Sequence, residues 1–151
     1  MIFMEVEKFD VVIDAKDRVL GRIASRAAKE ALSGKSVAVV NAESAFITGS
    51  KRVVAKRYRT RLNLQEKANP EHSPYWSRRP DMLVRRVIRG MMPYRKPTGK
   101  SAYRRLRVYS GMPKELANHH VLHIETSNPK TIYVKYVYIK ELSKLLGYNR
   151  E

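Results

Sequence analysis

Val11-Val12-Ile13-Asp14, then Leu20-Gly21-Arg22-Ile23-Ala24-Ser25-Arg26-Ala27-Ala28-Lys29-Glu30-Ala31-Leu32, then Val37-Ala38-Val39-Val40: the reading of this stretch decides the fold. The outer runs are short, β-branched and nearly continuous in apolar residues, the signature of strands buried on both faces. Between them Leu20, Ile23, Ala24, Ala27, Ala31 and Leu32 recur at three- and four-residue spacing, which predicts a helix with Arg22, Arg26 and Lys29 on its opposite face. Asp17 is expected to cap its start and Gly34 to end it. Two such strands joined through one helix favour a parallel pair, and the fold class is α/β.

Working outward, Asn41-Ala42-Glu43-Ser44 and Phe46-Ile47-Thr48-Gly49 lead into a basic helix with Val53, Val54 and Tyr58 on its apolar side and Thr48 as the expected cap. Periodicity fails from Asn63 to Pro80, where prolines mixed with Asn, His and Ser predict an irregular surface loop. Pro80-Asp81 opens a second basic helix with the stripe Leu83, Val84, Val87, Ile88 and Met91, closed by Gly90 and Pro93. Tyr94 to Gly99 reads as a cationic turn, Lys100 to Arg105 as one or two helical turns, and Leu106 to Tyr109 as a strand. Val121 to Ile124 and the alternation from Ile132 to Tyr138 predict further strands, and Leu142, Leu145 and Leu146 a last short helix stopped at Gly147.

Charge is concentrated in one part of this chain. From Lys51 to Arg107 there are 18 Lys and Arg against only Glu66, Glu71 and Asp81, so that +15 of the formal +17 lies there. Solvated faces normally mix signs, and a one-signed field attracts a phosphate-bearing polymer. Arginines on a helix with an apolar stripe are presented at fixed positions, and each planar fork can bond two phosphate oxygens. Among the interleaved aromatics, Tyr58 and Tyr109 are expected in the core, whereas Tyr75, Trp76 and Tyr94 sit among loop prolines and arginines and suit contact with RNA bases.

Other classes are poorly supported. At 151 residues and 43 % hydrophobic the chain suffices for one cored domain. It has no cysteine, so neither disulfides nor a thiolate zinc site arise. Met1 to Asp10 lacks the features of a secretory signal, no apolar run suits a bilayer, and the cations are spread over several elements rather than one membrane-binding helix; the expected place is the cytoplasm. His119, His120 and His123 lie near Glu115 and Glu125 but read mostly as strand, a weak case for metal. Asp14 and Asp17 are explained by a strand-end turn and a cap rather than by acid catalysis. The turn at Gly21 lacks the dinucleotide glycine pattern, and Thr48-Gly49-Ser50-Lys51 lacks the earlier glycine of a Walker loop, although helix amino ends there suit backbone phosphates.

Several runs resemble one family. Val12-Ile13-Asp14-Ala15 with Leu20-Gly21-Arg22-Ile23-Ala24-Ser25, Val39-Val40-Asn41-Ala42-Glu43 with Ile47-Thr48-Gly49, Arg86-Val87-Ile88-Arg89-Gly90-Met91-Met92-Pro93, and Arg105-Leu106-Arg107-Val108-Tyr109-Ser110-Gly111-Met112-Pro113 appear in the order found in the universal large-subunit ribosomal protein L-thirteen family. Met92 stands where leucine is expected, Arg79-Pro80-Asp81 where Ala-Pro-Ser is commoner, and Lys96-Pro97-Thr98-Gly99-Lys100 is a variant turn. The long loop Asn63 to Pro80 and the tail past Pro113 look archaeal or eukaryotic, and the lack of a long basic extension favours archaeal. The resemblance implies a three-layer α/β/α domain with a small mainly parallel sheet of about four strands, a family core over 11–113 and a C-terminal extension over 114–151, all within one domain of 1–151. It further implies no catalysis, no cofactor or metal, no small-molecule substrate and no membrane, but a structural role on large-subunit rRNA beside neighbouring large-subunit ribosomal proteins.

The residues expected to contact RNA are Lys51, Arg52, Lys56, Arg57, Arg59 and Arg61 on the first basic helix, Arg78 and Arg79 in the loop, and Arg85, Arg86 and Arg89 on the second. Tyr94, Arg95, Lys96, Lys100, Arg104 and Arg105 extend the footprint. Two rival readings are an α/β enzyme acting on a nucleotide or phosphoester near Asp14 and Asn41, and a DNA-compacting protein; phosphate contacts alone do not separate RNA from DNA.

Overall fold

A computed structural model describes residues 8–122, 124 and 134–149. Strand β1 (Val11–Asp14), helix α1 (Leu20–Leu32) and strand β2 (Val37–Val40) form where the two β-branched runs and the intervening repeat place them. Strands β3 (Phe46–Thr48), β4 (Leu106–Val108), β5 (Val121–Leu122) and β6 (Tyr136–Tyr138) follow, with helices α2 (Lys51–Leu62), α3 (Pro80–Gly90), α4 (Pro97–Arg104) and α5 (Ile139–Leu145). The main sheet has four strands in the order β4-β2-β1-β5, and all three of its pairings are parallel. β3 and β6 make a separate antiparallel pair that fastens the tail to the body.

The pleat sorts the apolar run onto two faces. Ile13, Val37, Val39 and Leu106 point into the main core with Ile23, Ala24, Ala27, Leu83, Val84 and Ile88 of the helices. Val12, Ala38 and Val40 point the other way, under Leu116, Phe9, Tyr109 and Val121. This mainly parallel sheet between two apolar layers is a small α/β fold. Its far layer is thin, built among the described residues on the 3-10 turn Lys114–Leu116. All four residues of β2 are fully buried, which is why that strand has no polar alternation to read. Val137, Ile139, Leu142 and Leu146 complete the main core, so β6 and α5 are integral to it.

Three local expectations give way. Asp17 does not cap α1: the residue before the helix is Val19, and Asp17 sits at φ 53° with its carboxylate accepting from the Tyr138 hydroxyl at 3.0 Å. Thr48 is the last residue of β3, and Ser50 precedes α2 without a side-chain cap bond. Each stripe differs at one edge: Val54 and Tyr58 are buried as expected but Val53 is 58 % exposed, and Leu83, Val84 and Ile88 are buried but Met91 is exposed, with Met92 just past the helix buried instead. Gly34 does end α1, at φ 96°. His123 and the stretch Ile132 to Tyr133 fall outside the described residues.

Candidate nucleic-acid interface

The basic segment folds into α2, the loop 63–79, α3, and the turn leading through α4 into β4. α2 buries Val54, Ala55 and Tyr58 and turns Arg52, Lys56, Arg57 and Arg59 to solvent. Lys51, Arg52, Lys56 and Arg59 line an open groove of about 570 Å³ closed at one end by Leu145 of α5. Two of these cations also hold α5: Lys51 pairs with Glu141, and Arg59 Nη2 donates to the Leu145 carbonyl at 3.2 Å.

The α3 arginines behave differently. Arg86 lies over the Trp76 ring, 3.9 Å from its centroid, and donates through Nη1 to the Tyr75 carbonyl at 2.8 Å. Arg85 covers Tyr103 at 4.6 Å and Arg89 covers Tyr94 at 4.9 Å, while Tyr94 and Tyr103 meet edge to face at 5.3 Å. Arg61 of α2 joins from the other side, 5.2 Å from Tyr58 and 4.9 Å from Trp76. These cations are half-buried and stacked on their own protein's rings, an attraction worth about 0.5–2 kcal/mol each. Burial, and then the charge of Arg89, lowers the Arg86 pKa below the usual arginine value, and burial raises the Tyr58 hydroxyl. Arg105 also turns inward: its Nη2 donates to the Ala31 carbonyl at the end of α1 at 3.0 Å. Arg79 forks onto Asp81 at 2.7 and 3.2 Å.

The expected contact residues therefore separate into two sets. Arg52, Lys56, Arg57, Arg78, Arg95, Lys96, Lys100 and Arg104 are exposed and have no side-chain partner among the described residues. Lys51, Arg59, Arg61, Arg79, Arg85, Arg86, Arg89 and Arg105 each hold a group of the protein itself. Of the aromatics, Tyr58 is buried and Tyr109 packs edge to face on Phe9, as expected for core positions. Tyr75 is 83 % exposed, Trp76 is enclosed by Arg61 and Arg86, and Tyr94 lies between. Sequence reasoning missed the arginine-on-ring contacts; the Tyr58 and Arg61 pair at i,i+3 on one helix was the one local signal.

The strand ends offer little for catalysis. Asp14 Oδ1 accepts from Lys16 N at 3.0 Å and from Asn41 Nδ2 at 2.9 Å, bonds that hold two turns together. The groove beside it mixes Lys16, Lys140 and Lys144 with Asp17, Glu43 and Glu141. Its tyrosine, Tyr138, is pushed up to about 12 by burial and then by its bond to Asp17. No group of three metal-ligating side chains occurs among the described residues.

Fold and surface together define a small α/β domain that carries exposed cations on several of its elements. Residues 9–115 match the model of the family described as Ribosomal protein L13, and the chain belongs to that family. It is 41 % identical over 137 residues to the large ribosomal subunit protein uL13 of Methanosphaera stadtmanae, covering 90 % of this chain and 96 % of that protein. The protein of the same name from Methanococcus maripaludis is 45 % identical over 142 residues, 91 % of this chain and 97 % of the relative. That of Archaeoglobus fulgidus is 40 % identical over 139 residues, 91 % and 87 % of the two chains. The resemblance seen in the motifs is thus borne out, in its archaeal form, and the family is one of structural ribosomal proteins rather than enzymes.

Proposed function

We propose that this chain is a structural constituent of the large ribosomal subunit in the cytoplasm, acting as one domain over 1–151. It binds folded large-subunit rRNA through phosphate contacts and helps the subunit assemble, with neighbouring large-subunit ribosomal proteins as its other partners. The observation that carries this reading is the outward set of cations on a rigid frame: Arg52, Lys56 and Arg57 from α2, Arg78 from the loop, and Arg95, Lys96, Lys100 and Arg104 around α4. Cations fixed on separate elements neutralise phosphates that converge from different RNA segments, which lets those segments pack. The set that holds the protein's own groups keeps α2, α3, α4, α5 and the loop in register, so the unpartnered set meets RNA pre-positioned and loses little entropy on binding.

The number of phosphates follows from this division. Eight contacts give log affinity against log salt a slope of about −6 to −7, whereas use of all sixteen expected cations would give roughly −11 to −14. Sedimentation of native lysate at low and moderate salt, followed by the salt dependence of binding to deproteinised large-subunit rRNA, tests the reading. Comigration with the large subunit and a slope near −6 are expected. A protein that stays at the top of the gradient at both salts, or a slope near zero, overturns it.

A further inference from the structure

Tyr75 presents the most exposed of the large hydrophobic side chains of the basic segment, at 83 % of its full accessibility, yet its backbone carbonyl is held. Arg86 Nη1 bonds the Tyr75 carbonyl at 2.8 Å while the same guanidinium covers the adjacent Trp76 ring. Arg61 covers that ring too, at 4.9 Å, and Tyr58 meets it edge to face at 6.4 Å. The loop at residues 75 and 76 is thus clamped from α2 and α3 together, and a flat, amphipathic ring projects from the clamp into solvent. A freely exposed tyrosine on a mobile loop has no use for such an anchorage.

Resting on the ribosomal reading above, we propose that the Tyr75 ring is a stacking platform for an unpaired base of the bound RNA, with Arg86 as its positioning residue. Each base has a π-face, so the platform needs no particular nucleotide. The surroundings favour a base over a protein side chain. An aromatic anchor for a protein partner sits in a desolvated, mostly apolar pocket, whereas Tyr75 lies in a segment of net +15, three residues before the exposed Arg78. Phosphates flanking a stacked nucleotide fall within reach of such cations. The contact adds affinity that salt does not screen, on top of the phosphate contacts.

The test uses the full chain and deproteinised, refolded large-subunit rRNA. Tyr75→Ala is expected to weaken binding about 5- to 100-fold with the salt slope unchanged, and Tyr75→Phe to bind like the wild type. Short-wavelength UV irradiation followed by mass spectrometry is expected to place a nucleobase adduct on Tyr75. Wild-type binding by Tyr75→Ala, or an adduct absent from Tyr75 while others form, overturns the platform and leaves the phosphate reading standing. A defect seen only in whole subunits and not on naked rRNA also overturns it, in favour of a protein neighbour. Failure of the wild-type chain to bind this rRNA at all would instead remove the ribosomal reading beneath the proposal.

Discussion

Arg86→Ala and Arg57→Ala change the same residue type on neighbouring basic helices, and the structure assigns them opposite consequences. Arg86 donates a charged hydrogen bond to the Tyr75 carbonyl and covers Trp76 from a half-buried position. A bond of that kind is worth about 1.5–3 kcal/mol and the ring contact up to about 2, and since one group makes both the two overlap. A net loss of about 2 kcal/mol is expected, which lowers the melting temperature of a chain this size by about 4–8 °C. Arg57 is exposed without a side-chain partner among the described residues, so its removal should stay within about 0.5 kcal/mol. In the salt dependence of RNA binding the order reverses. Arg57→Ala should make the salt slope less negative by about 0.7–0.9, one phosphate's worth, while Arg86→Ala leaves the slope alone. Thermal unfolding followed at Trp76, the single tryptophan, and RNA binding at four or more salt concentrations read both quantities. If Arg86→Ala melted with the wild type and flattened the salt slope as Arg57→Ala does, the division of the arginines would be refuted.

Gly99 packs so closely on the preceding turn that a Cβ would lie 2.1 Å from the Pro93 carbonyl oxygen; Gly99→Ala is expected to cost about 1–3 kcal/mol and to lower the denaturant midpoint in equilibrium unfolding. Glu30, held by Lys35 at 2.8 Å and Arg26 at 2.9 Å, has its carboxyl lowered chiefly by the Lys35 bond. Its contribution is therefore complete above the ordinary carboxylate range and is lost as pH falls through the lowered value; stability against pH measured for Glu30→Gln should show a loss of about 1 kcal/mol at neutral pH that vanishes in acid. Asp14→Ala frees Lys16 N and Asn41 Nδ2 and is expected to cost about 1–2 kcal/mol in thermal unfolding, with RNA affinity little changed at a temperature where the variant is folded.

What the chain discloses locally and what it does not follows from the range of the forces involved. β1, α1 and β2 were legible because periodicity and β-branching act over a few residues, and α3 because Pro80, Gly90 and its stripe mark both ends. β3 carried no comparable signal, since Phe46–Thr48 becomes a strand by pairing with Tyr136–Tyr138, some ninety positions away. The basic segment itself was visible in the charge count. Its division was not, because the partners that turn an arginine inward arrive from elsewhere: Arg105 reaches Ala31, Arg59 reaches Leu145, and Trp76 meets α2 and α3 at once. Asp17 failed as a cap for the same reason, its carboxylate being taken by Tyr138.

The contribution of α5 to the main core bears on the order in which the protein can mature. Ile139 and Leu142 are fully buried in one core with β1 and α1, and α5 also braces α2 through Lys51 and Arg59. A chain emerging from its amino end can pair β1 with β2 early, yet it cannot close its core until α5 has been made and can dock. The cation-bearing helix α2 is therefore set in its final pose only once α5 has docked, so the element that fixes the spacing of these cations is among the last of the described elements to be made.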